Sequence, residues 1–453
     1  MRRFFLQPYQ KAKLYLLLGD ILSLSFIMLL GLSFNLYQHK IVSSGDIANL
    51  SYNYILFSCL SIFSFYILGL YQISNGKRLK YILLPLWLSF AVVVVSYVTL
   101  AYFLVTFKAG KQELLIFIIS AGLITSVWHL VVSKRIKLEP QRLLFVGDNK
   151  LIRELKELIT TEYAQYYQVT GHWHQKSHNP SFPDLFQYVN ENKVDAIVYS
   201  VHSQILPKLS HNLLKIRFKQ KNIYAAHSFY QWVTGKFPIH YLDDFWMLIT
   251  CQREFFFPDV SAKLKRVFDI FFALCCLPLA LPLIVIAGLA IKFESEGPVF
   301  FIQERLGLYG ASFKLIKLRT MIHNAEKQNG PQWCKDNDNR ITKIGKLLRK
   351  FRLDELPQLI NVLKGDMSVV GPRPIRKYFT EILSQQIPYY NLRLLAKPGL
   401  TGWAQVSNGH ANTVEGHGQM AQFDLFYLVN QSLWLDLYII IKTIKVVIWS
   451  KGR

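Results

Sequence analysis

The sequence predicts a membrane protein made of four N-terminal transmembrane helices, a Rossmann-like α/β domain and a mainly helical (α+β), membrane-associated domain with a re-entrant helix. Three observations carry that reading. The first third of the chain holds four apolar runs, the middle alternates short apolar strands with amphipathic helices, and a fifth apolar run, broken by prolines, opens a basic C-terminal region. The expected boundaries are 1–138, 139–258 and 259–453, with the re-entrant helix at 263–292.

A chain of 453 residues, 51% of them hydrophobic, is too long for one ordinary core and has apolar surface to hide in a bilayer. Residues 14–35, 51–71, 81–105 and 113–133 are rich in Leu, Ile, Val, Phe and Ser. At about 1.5 Å per residue, each can cross a hydrocarbon core of about 30 Å as a helix. Arg2, Arg3, Lys11 and Lys13 precede the first run, Lys77, Arg78 and Lys80 lie between the second and third, and Lys134, Arg135 and Lys137 follow the fourth. The opposite loops carry only Lys40, Lys108 and Lys111. The positive-inside rule therefore predicts both ends of this unit in the cytoplasm. No small-residue cleavage site follows Arg2 and Arg3, so the first run is expected to be retained.

From about Gln141 the pattern becomes LLFVG at 143–147, a helix over 150–159, YQVTG at 167–171 and VDAIVYSV at 194–201, which predicts a largely parallel sheet. Gly147 is followed by Asp148, Asn149 and Lys150, so the second and third glycines of a dinucleotide fingerprint are missing and a structural or regulatory module is the better reading. His172, His174 and His178 lack a nearby carboxylate or cysteine and read as a solvated loop, and His410 and His417 around Glu415 read as a Gly-rich loop. Cys59, Cys251, Cys275, Cys276 and Cys334 show no metal-ligand spacing and fit a reducing face.

Val267 to Ala290 is long enough to span, but it has Lys263, Lys265 and Arg266 before it and Lys292 after it, and it contains Pro278 and Pro282. Basic flanks on both sides oppose crossing, and an interior proline bends a helix, so the segment is expected to enter and turn back near Pro282, with a single span as the competing reading by hydropathy alone.

The formal charge of +23 requires anionic partners. No nucleic-acid-binding signature is present, and the basic residues cluster beside apolar segments, which points to membrane lipid and phosphorylated substrates. Lys343, Lys346 and Lys350 recur at helical spacing, with Ile344, Leu347, Leu348 and Phe351 on another face, as in a helix lying on an anionic membrane. That helix leads into adjacent carboxylates, Asp354 and Glu355, and then to a rigid turn, Gly371-Pro372-Arg373-Pro374. On residue types alone, a phosphate-handling centre and a solvated helix end with a capping turn are equally good readings. As a strand, Lys314 to Thr320 would place Lys317 and Arg319 on one face. Leu433 to Trp449, apolar with Lys442 and Lys445, reads as a helix on the membrane surface, with a span as the alternative that its apolar length allows.

RLDELPQLINVLKGDMSVVGPRP at 352–374, FKLIKLRTM at 313–321 and KPGLTGWAQV at 397–406 together resemble the bacterial sugar transferase family, the polyprenyl-phosphate hexose-1-phosphate transferases (monotopic phosphoglycosyl transferases). The likeness runs from Lys263 to the C-terminus. It implies that the third domain is catalytic and faces the cytoplasm. There it would move a hexose 1-phosphate from a UDP-sugar to polyprenyl (undecaprenyl) phosphate with release of UMP, the first membrane step of exopolysaccharide, capsule or O-antigen synthesis. It further implies Asp354 as nucleophile, Glu355 as Mg2+ ligand, Lys317, Arg319 and Arg373 as phosphate-binding residues, Arg340 at another family position, and Trp403 and Gln405 near the sugar or uracil. A re-entrant helix also belongs to the resemblance, although Leu281 stands here where many relatives have a serine before the breaking proline. Competing readings are a lipid-acceptor glycosyltransferase releasing UDP and a non-enzymatic membrane sensor or scaffold. Self-association is left open.

Overall fold

The computed structural model describes residues 8–37, 44–71, 80–103, 111–135, 139–173, 182–200, 216–217, 221–241, 258–322, 330, 333, 338–408 and 412–448. His174, His178, His410, Cys251 and Cys334 lie outside the described residues, as do Arg2, Arg3, Lys40, Lys77, Arg78, Lys108 and Lys137. The chain divides into two compact units, Met1–Tyr224 and Ala225–Arg453.

The first unit begins with four apolar helices: α1 (Pro8–Tyr37), α2 (Ser44–Ile67), α3 (Lys80–Phe103) and α4 (Lys111–Arg135). Each has at least 24 residues, enough to cross a bilayer at about 1.5 Å per residue. Both α1 and α3 pack against α2 and α4, which closes a four-helix ring around Leu24, Phe57, Phe65, Leu86 and Phe90. Two hydroxyls inside the ring bond their own helices: Ser61 Oγ donates to the Phe57 carbonyl at 2.8 Å and Thr125 Oγ1 to that of Ala121 at 2.6 Å, so neither is left bare in an apolar interior. His129 Nε2 lies 3.1 Å from both Asp20 oxygens and joins α4 to α1.

The same unit holds a four-stranded sheet in the order β2-β1-β3-β4, formed by β1 (Gln141–Val146), β2 (Tyr167–Trp173), β3 (Ala196–Tyr199) and β4 (Asn222–Ala225). Strand β1 pairs in parallel with β2 and β3. Helices α5 (Lys150–Thr161) and α6 (Phe182–Glu191) supply the intervening crossovers. Asn149 caps α5 by accepting from Ile152 N at 2.9 Å. Gly147 has φ +102°, and a Cβ there would sit 1.9 Å from the Ser200 carbonyl oxygen, so chain already fills the turn after β1. His172 lies in β2 rather than in a solvated loop, with Nε2 2.7 Å from the Gly147 carbonyl oxygen. The strand continues two residues beyond YQVTG because β1 still offers partners at Phe145 and Val146.

The second unit opens with α7 (Ala226–Thr234), a segment that the sequence pattern groups with the α/β domain. Phe237 belongs to this unit's core, and Trp403 Nε1 donates to the Gly235 carbonyl at 2.8 Å. Next comes α8 (Pro258–Glu294), helical throughout and containing Pro278 and Pro282. Its stretch Ala262–Glu294 is long and apolar enough to cross a membrane. An antiparallel hairpin follows, β5 (Phe300–Leu306) with β6 (Ser312–Leu318), and then α9 (Lys343–Lys350) and α10 (Gln358–Lys364). Short parallel strands β7 (Ser368–Val370) and β8 (Gly399–Thr401) flank α11 (Lys377–Gln386). Helices α12 (Trp403–Ser407), α13 (Val414–Asn430) and α14 (Leu433–Ile448) complete the unit. One core gathers Val362, Met367, Leu383, Tyr427 and Ile439 from these elements.

Candidate active site

Two helices frame the carboxylates. Thr342 Oγ1 caps α9 by accepting from Gly345 N at 2.9 Å. Gly345 is required because a Cβ there would meet the Thr320 carbonyl oxygen at 2.1 Å. This close approach ties α9 to the end of β6, and Arg349 Nε adds a bond to Thr320 Oγ1 at 2.9 Å. At the end of α9, Arg352 takes a left-handed conformation (φ 55°, ψ 24°) and turns the chain into a 3-10 turn at Leu353–Glu355, where Glu355 N donates to the Arg352 carbonyl at 3.2 Å. Asp354 and Glu355 are buried in that turn. On α10, Asn361 accepts from Ile316 N at 3.1 Å and donates to the Lys314 carbonyl at 2.8 Å, so a single side chain sets the register between the carboxylate turn and the strand carrying Lys317.

Charge converges on this turn. Lys317 Nζ lies 3.3 Å and Arg373 Nη2 3.0 Å from the same oxygen, Glu355 Oε1. Burial and neighbouring Glu355 raise the Asp354 carboxyl above the usual carboxylate range, with partial opposition from Lys317, Arg349 and Arg373. Burial pushes the Lys317 ammonium down against the pull of Glu355. Arg352, also lowered by burial, acts electrostatically on Glu355, Arg373 and Asp354.

Arg373 is held from behind. Gly371 N donates to the Thr401 carbonyl at 2.9 Å, and a Cβ on Gly371 would sit 2.2 Å from the Lys397 carbonyl oxygen, so only glycine lets these two backbone segments close. Arg393 Nη2 donates to the Arg373 carbonyl at 3.0 Å while Nε bonds Asp424 Oδ2 at 2.9 Å.

The structure therefore brings together Asp354, Glu355, Lys317 and Arg373. It takes Arg319 elsewhere: β6 ends at Leu318, so the alternation that would place Arg319 beside Lys317 stops one residue short. Its guanidinium instead binds the Ser295 carbonyl at 2.8 Å, Ser295 Oγ at 3.1 Å and the Glu296 carbonyl, closing the end of α8. Arg340 is committed to Asp338, with Nε–Oδ1 at 2.8 Å and Nη2–Oδ2 at 2.6 Å. Trp403 is a core residue, packed on Phe426 and Tyr438. Gln405 is buried, and both of its amide atoms lack a hydrogen-bond partner among the described residues. His417 is not in a loop. It lies in α13 behind a Thr413 cap, its ring tilted against that of Trp333 with centroids 5.2 Å apart, and burial and Arg393 lower its pKa to about 4.

Sequence reasoning missed Arg349, Arg352 and the Arg393–Asp424 pair. Spacing offered a signal for Arg349, which stands four residues after Gly345 and so borders its buried stripe. Among the described residues no group of three or more His, Cys, Asp or Glu side chains is arranged to hold a metal. Adjacent Asp354 and Glu355 fit Mg2+ in the other way open to it, as one or two carboxylates acting together with substrate phosphates.

A family model described as bacterial sugar transferase matches residues 260–450. The chain is 43% identical over 193 residues to the UDP-N-acetylgalactosamine-undecaprenyl-phosphate N-acetylgalactosaminephosphotransferase of Aeromonas hydrophila, covering 43% of this chain and 45% of that one. It is 46% identical over 190 residues to the UDP-glucose:undecaprenyl-phosphate glucose-1-phosphate transferase of Caulobacter vibrioides, covering 41% of this chain and 71% of that one. A longer match, 28% identical over 320 residues, is to the undecaprenyl-phosphate glucose phosphotransferase of Komagataeibacter xylinus, covering 69% of this chain and 60% of that one. The chain thus spans less than half the length of the Aeromonas protein.

Proposed function

Because the chain belongs to the bacterial sugar transferase family, we propose that it is a phosphoglycosyl transferase, an undecaprenyl-phosphate sugar phosphotransferase. It moves a hexose 1-phosphate from a UDP-sugar to undecaprenyl phosphate and releases UMP. The observation that carries this is the buried Asp354–Glu355 pair with Lys317 and Arg373 on one Glu355 oxygen. Lys317, Arg349 and Arg373 stand against two carboxylates, an excess of positive charge suited to a nucleoside diphosphate.

In the first step an Asp354 oxygen attacks the sugar-bearing phosphorus and the bond to the UMP oxygen breaks, leaving a phosphosugar on the carboxylate. In the second, a phosphate oxygen of the lipid attacks the same phosphorus, and Asp354 leaves as a carboxylate. Lys317 and Arg373 hold phosphoryl oxygens and orient Glu355, whose carboxylate would bind Mg2+. When bound, Mg2+ neutralises diphosphate charge. In this scheme the first unit anchors the chain in the inner membrane, and its sheet, whose 2-1-3-4 order suits a Rossmann-like module, plays a structural or regulatory part.

The full chain, incubated with a panel of UDP-sugars, undecaprenyl phosphate and Mg2+, is expected to release UMP. Without lipid it should exchange label between UMP and UDP-sugar, and excess chelator should stop that exchange. Release of UDP would establish the ordinary glycosyltransferase reading, and no nucleotide release with any sugar would leave the scaffold reading.

For α8 we propose a re-entrant path with both ends on the cytoplasmic side. Its two ends are tied to neighbouring places in one unit. Arg266 donates to the Val362 and Leu363 carbonyls at 2.6 and 2.7 Å, next to Asn361, which binds Ile316 N. Arg319, three residues beyond Ile316, holds Ser295 at the other end. A straight helix would separate Arg266 from Ser295 by roughly 43 Å, which about 10 Å of extended chain from Ile316 to Arg319 and the side-chain reach of Arg266, Asn361 and Arg319 would cover only with every link pointing along one line. Bending near Pro278 and Pro282 reconciles these lengths. Single cysteines at Lys263 and Glu296, in a background lacking native cysteines, should both react from the cytoplasmic side only. Labelling of Glu296→Cys from outside would make α8 a full span.

A further inference from the structure

Arg352 stands apart from the other cations of the site. Lys317 and Arg373 bond Glu355, and Arg349 bonds Thr320. Among the described residues the Arg352 guanidinium has no hydrogen-bond or ion-pair partner. Yet its backbone is held in the left-handed region, which a side-chain-bearing residue rarely adopts and which persists where surrounding contacts over-determine it. Its carbonyl accepts from the Glu355 N–H, so the residue is bolted to the carboxylate turn while its charged end stays unspent.

Its place in the fold indicates what that charge is for. Arg352 follows α9 and its C-cap Phe351, and Leu347 and Phe351 are exposed apolar residues among Lys343, Lys346 and Lys350. Apolar side chains rimmed by lysines make the surface of a helix lying in an anionic interface. Lys317 and Arg373 instead approach Glu355 from β6 and from the turn after β7. Arg352 is therefore the cation at the junction between the membrane-lying helix and the carboxylates.

We infer that Arg352 binds the phosphate of the lipid acceptor as it enters from the membrane side, and so acts in the second half of the transfer. The inference rests on the function proposed above. A guanidinium suits this task because its planar fork holds two oxygens of a terminal phosphate and stays charged when partly buried.

Separated half-reactions test it on the full chain. Arg352→Gly removes the side chain and accepts positive φ without strain, so it keeps the turn. Arg352→Lys restores a charge without the fork. In the Gly variant the KM for undecaprenyl phosphate should rise about tenfold or more, the scale of one lost charge-assisted contact, while UMP/UDP-sugar exchange without lipid falls about twofold or less. The Lys variant should recover part of the lipid affinity. An unchanged KM for undecaprenyl phosphate would overturn the inference. So would an equal fall in exchange and transfer, which would assign Arg352 to the nucleotide. A KM defect seen in phosphatidylglycerol vesicles but absent in phosphatidylcholine vesicles would assign it to bulk headgroups and overturn the inference as well. Absence of exchange in the wild-type chain would instead overturn the proposed function itself.

Discussion

Asp354→Asn should lower UMP/UDP-sugar exchange and transfer to lipid by about 10⁴-fold or more, the scale seen when a covalent nucleophile is removed, and should raise the melting temperature near neutral pH. Both effects have one origin. The carboxyl is buried beside Glu355, and together these disfavour its ionised form. The sign follows from linkage: with the folded pKa above the unfolded value of about 3.9, ionisation costs the folded state stability as pH rises through that interval. Below it the Asn variant and the wild type should melt alike. Above it the variant should be the more stable, by a margin that levels off once wild-type Asp354 is ionised in the fold. The acid limb of wild-type exchange should lie above the ordinary aspartate range for the same reason. Full exchange in a folded Asn variant would remove Asp354 from the chemistry, and a lower melting temperature at neutral pH would show that Lys317, Arg349 and Arg373 outweigh burial.

The parts of this protein that are legible in sequence are those governed by local pattern. Four apolar runs became α1 to α4 because in lipid only a helix satisfies its own backbone. LLFVG became β1 because a strand covered on both faces reads as an unbroken apolar run. The carboxylates and the Gly-Pro-Arg-Pro turn were legible as a motif, and Lys317 and Arg373 do meet Glu355. What stayed hidden depends on where an element stops or on partners far apart in the chain. Arg319 and Lys317 differ by two residues, but the strand ends between them, so one faces Glu355 and the other closes α8. His417 sits among glycines that read as a loop, yet its burial against Trp333 in a capped helix outweighs that local preference. Arg393 and Asp424 are 31 residues apart and carry no motif.

That pair yields the largest stability effect expected in the second unit. Arg393 and Asp424 are both almost fully buried, joined at Asp424 Oδ2, and Arg393 also supports the Arg373 carbonyl. Arg393→Met should cost about 3–5 kcal/mol, the usual range when one partner of a buried pair is removed and the other is left uncompensated, and should lower the melting temperature by roughly 10 °C. Burial already raises the Asp424 carboxyl, and Arg393 is what opposes that shift. Without the guanidinium Asp424 should titrate higher still, so the deficit of Arg393→Met should be largest at alkaline pH and shrink as acid neutralises the stranded carboxylate. Arg393→Met with Asp424→Leu should regain much of the stability, because two apolar side chains in place of a buried ion pair leave no unpaired charge. It should not regain full activity, since the Arg373 carbonyl would still lack its donor and the Arg373 guanidinium its fixed position at Glu355. Recovery of both properties in the double variant would reduce the pair to a packing element, whereas recovery of stability alone would establish Arg393 as the residue that positions Arg373.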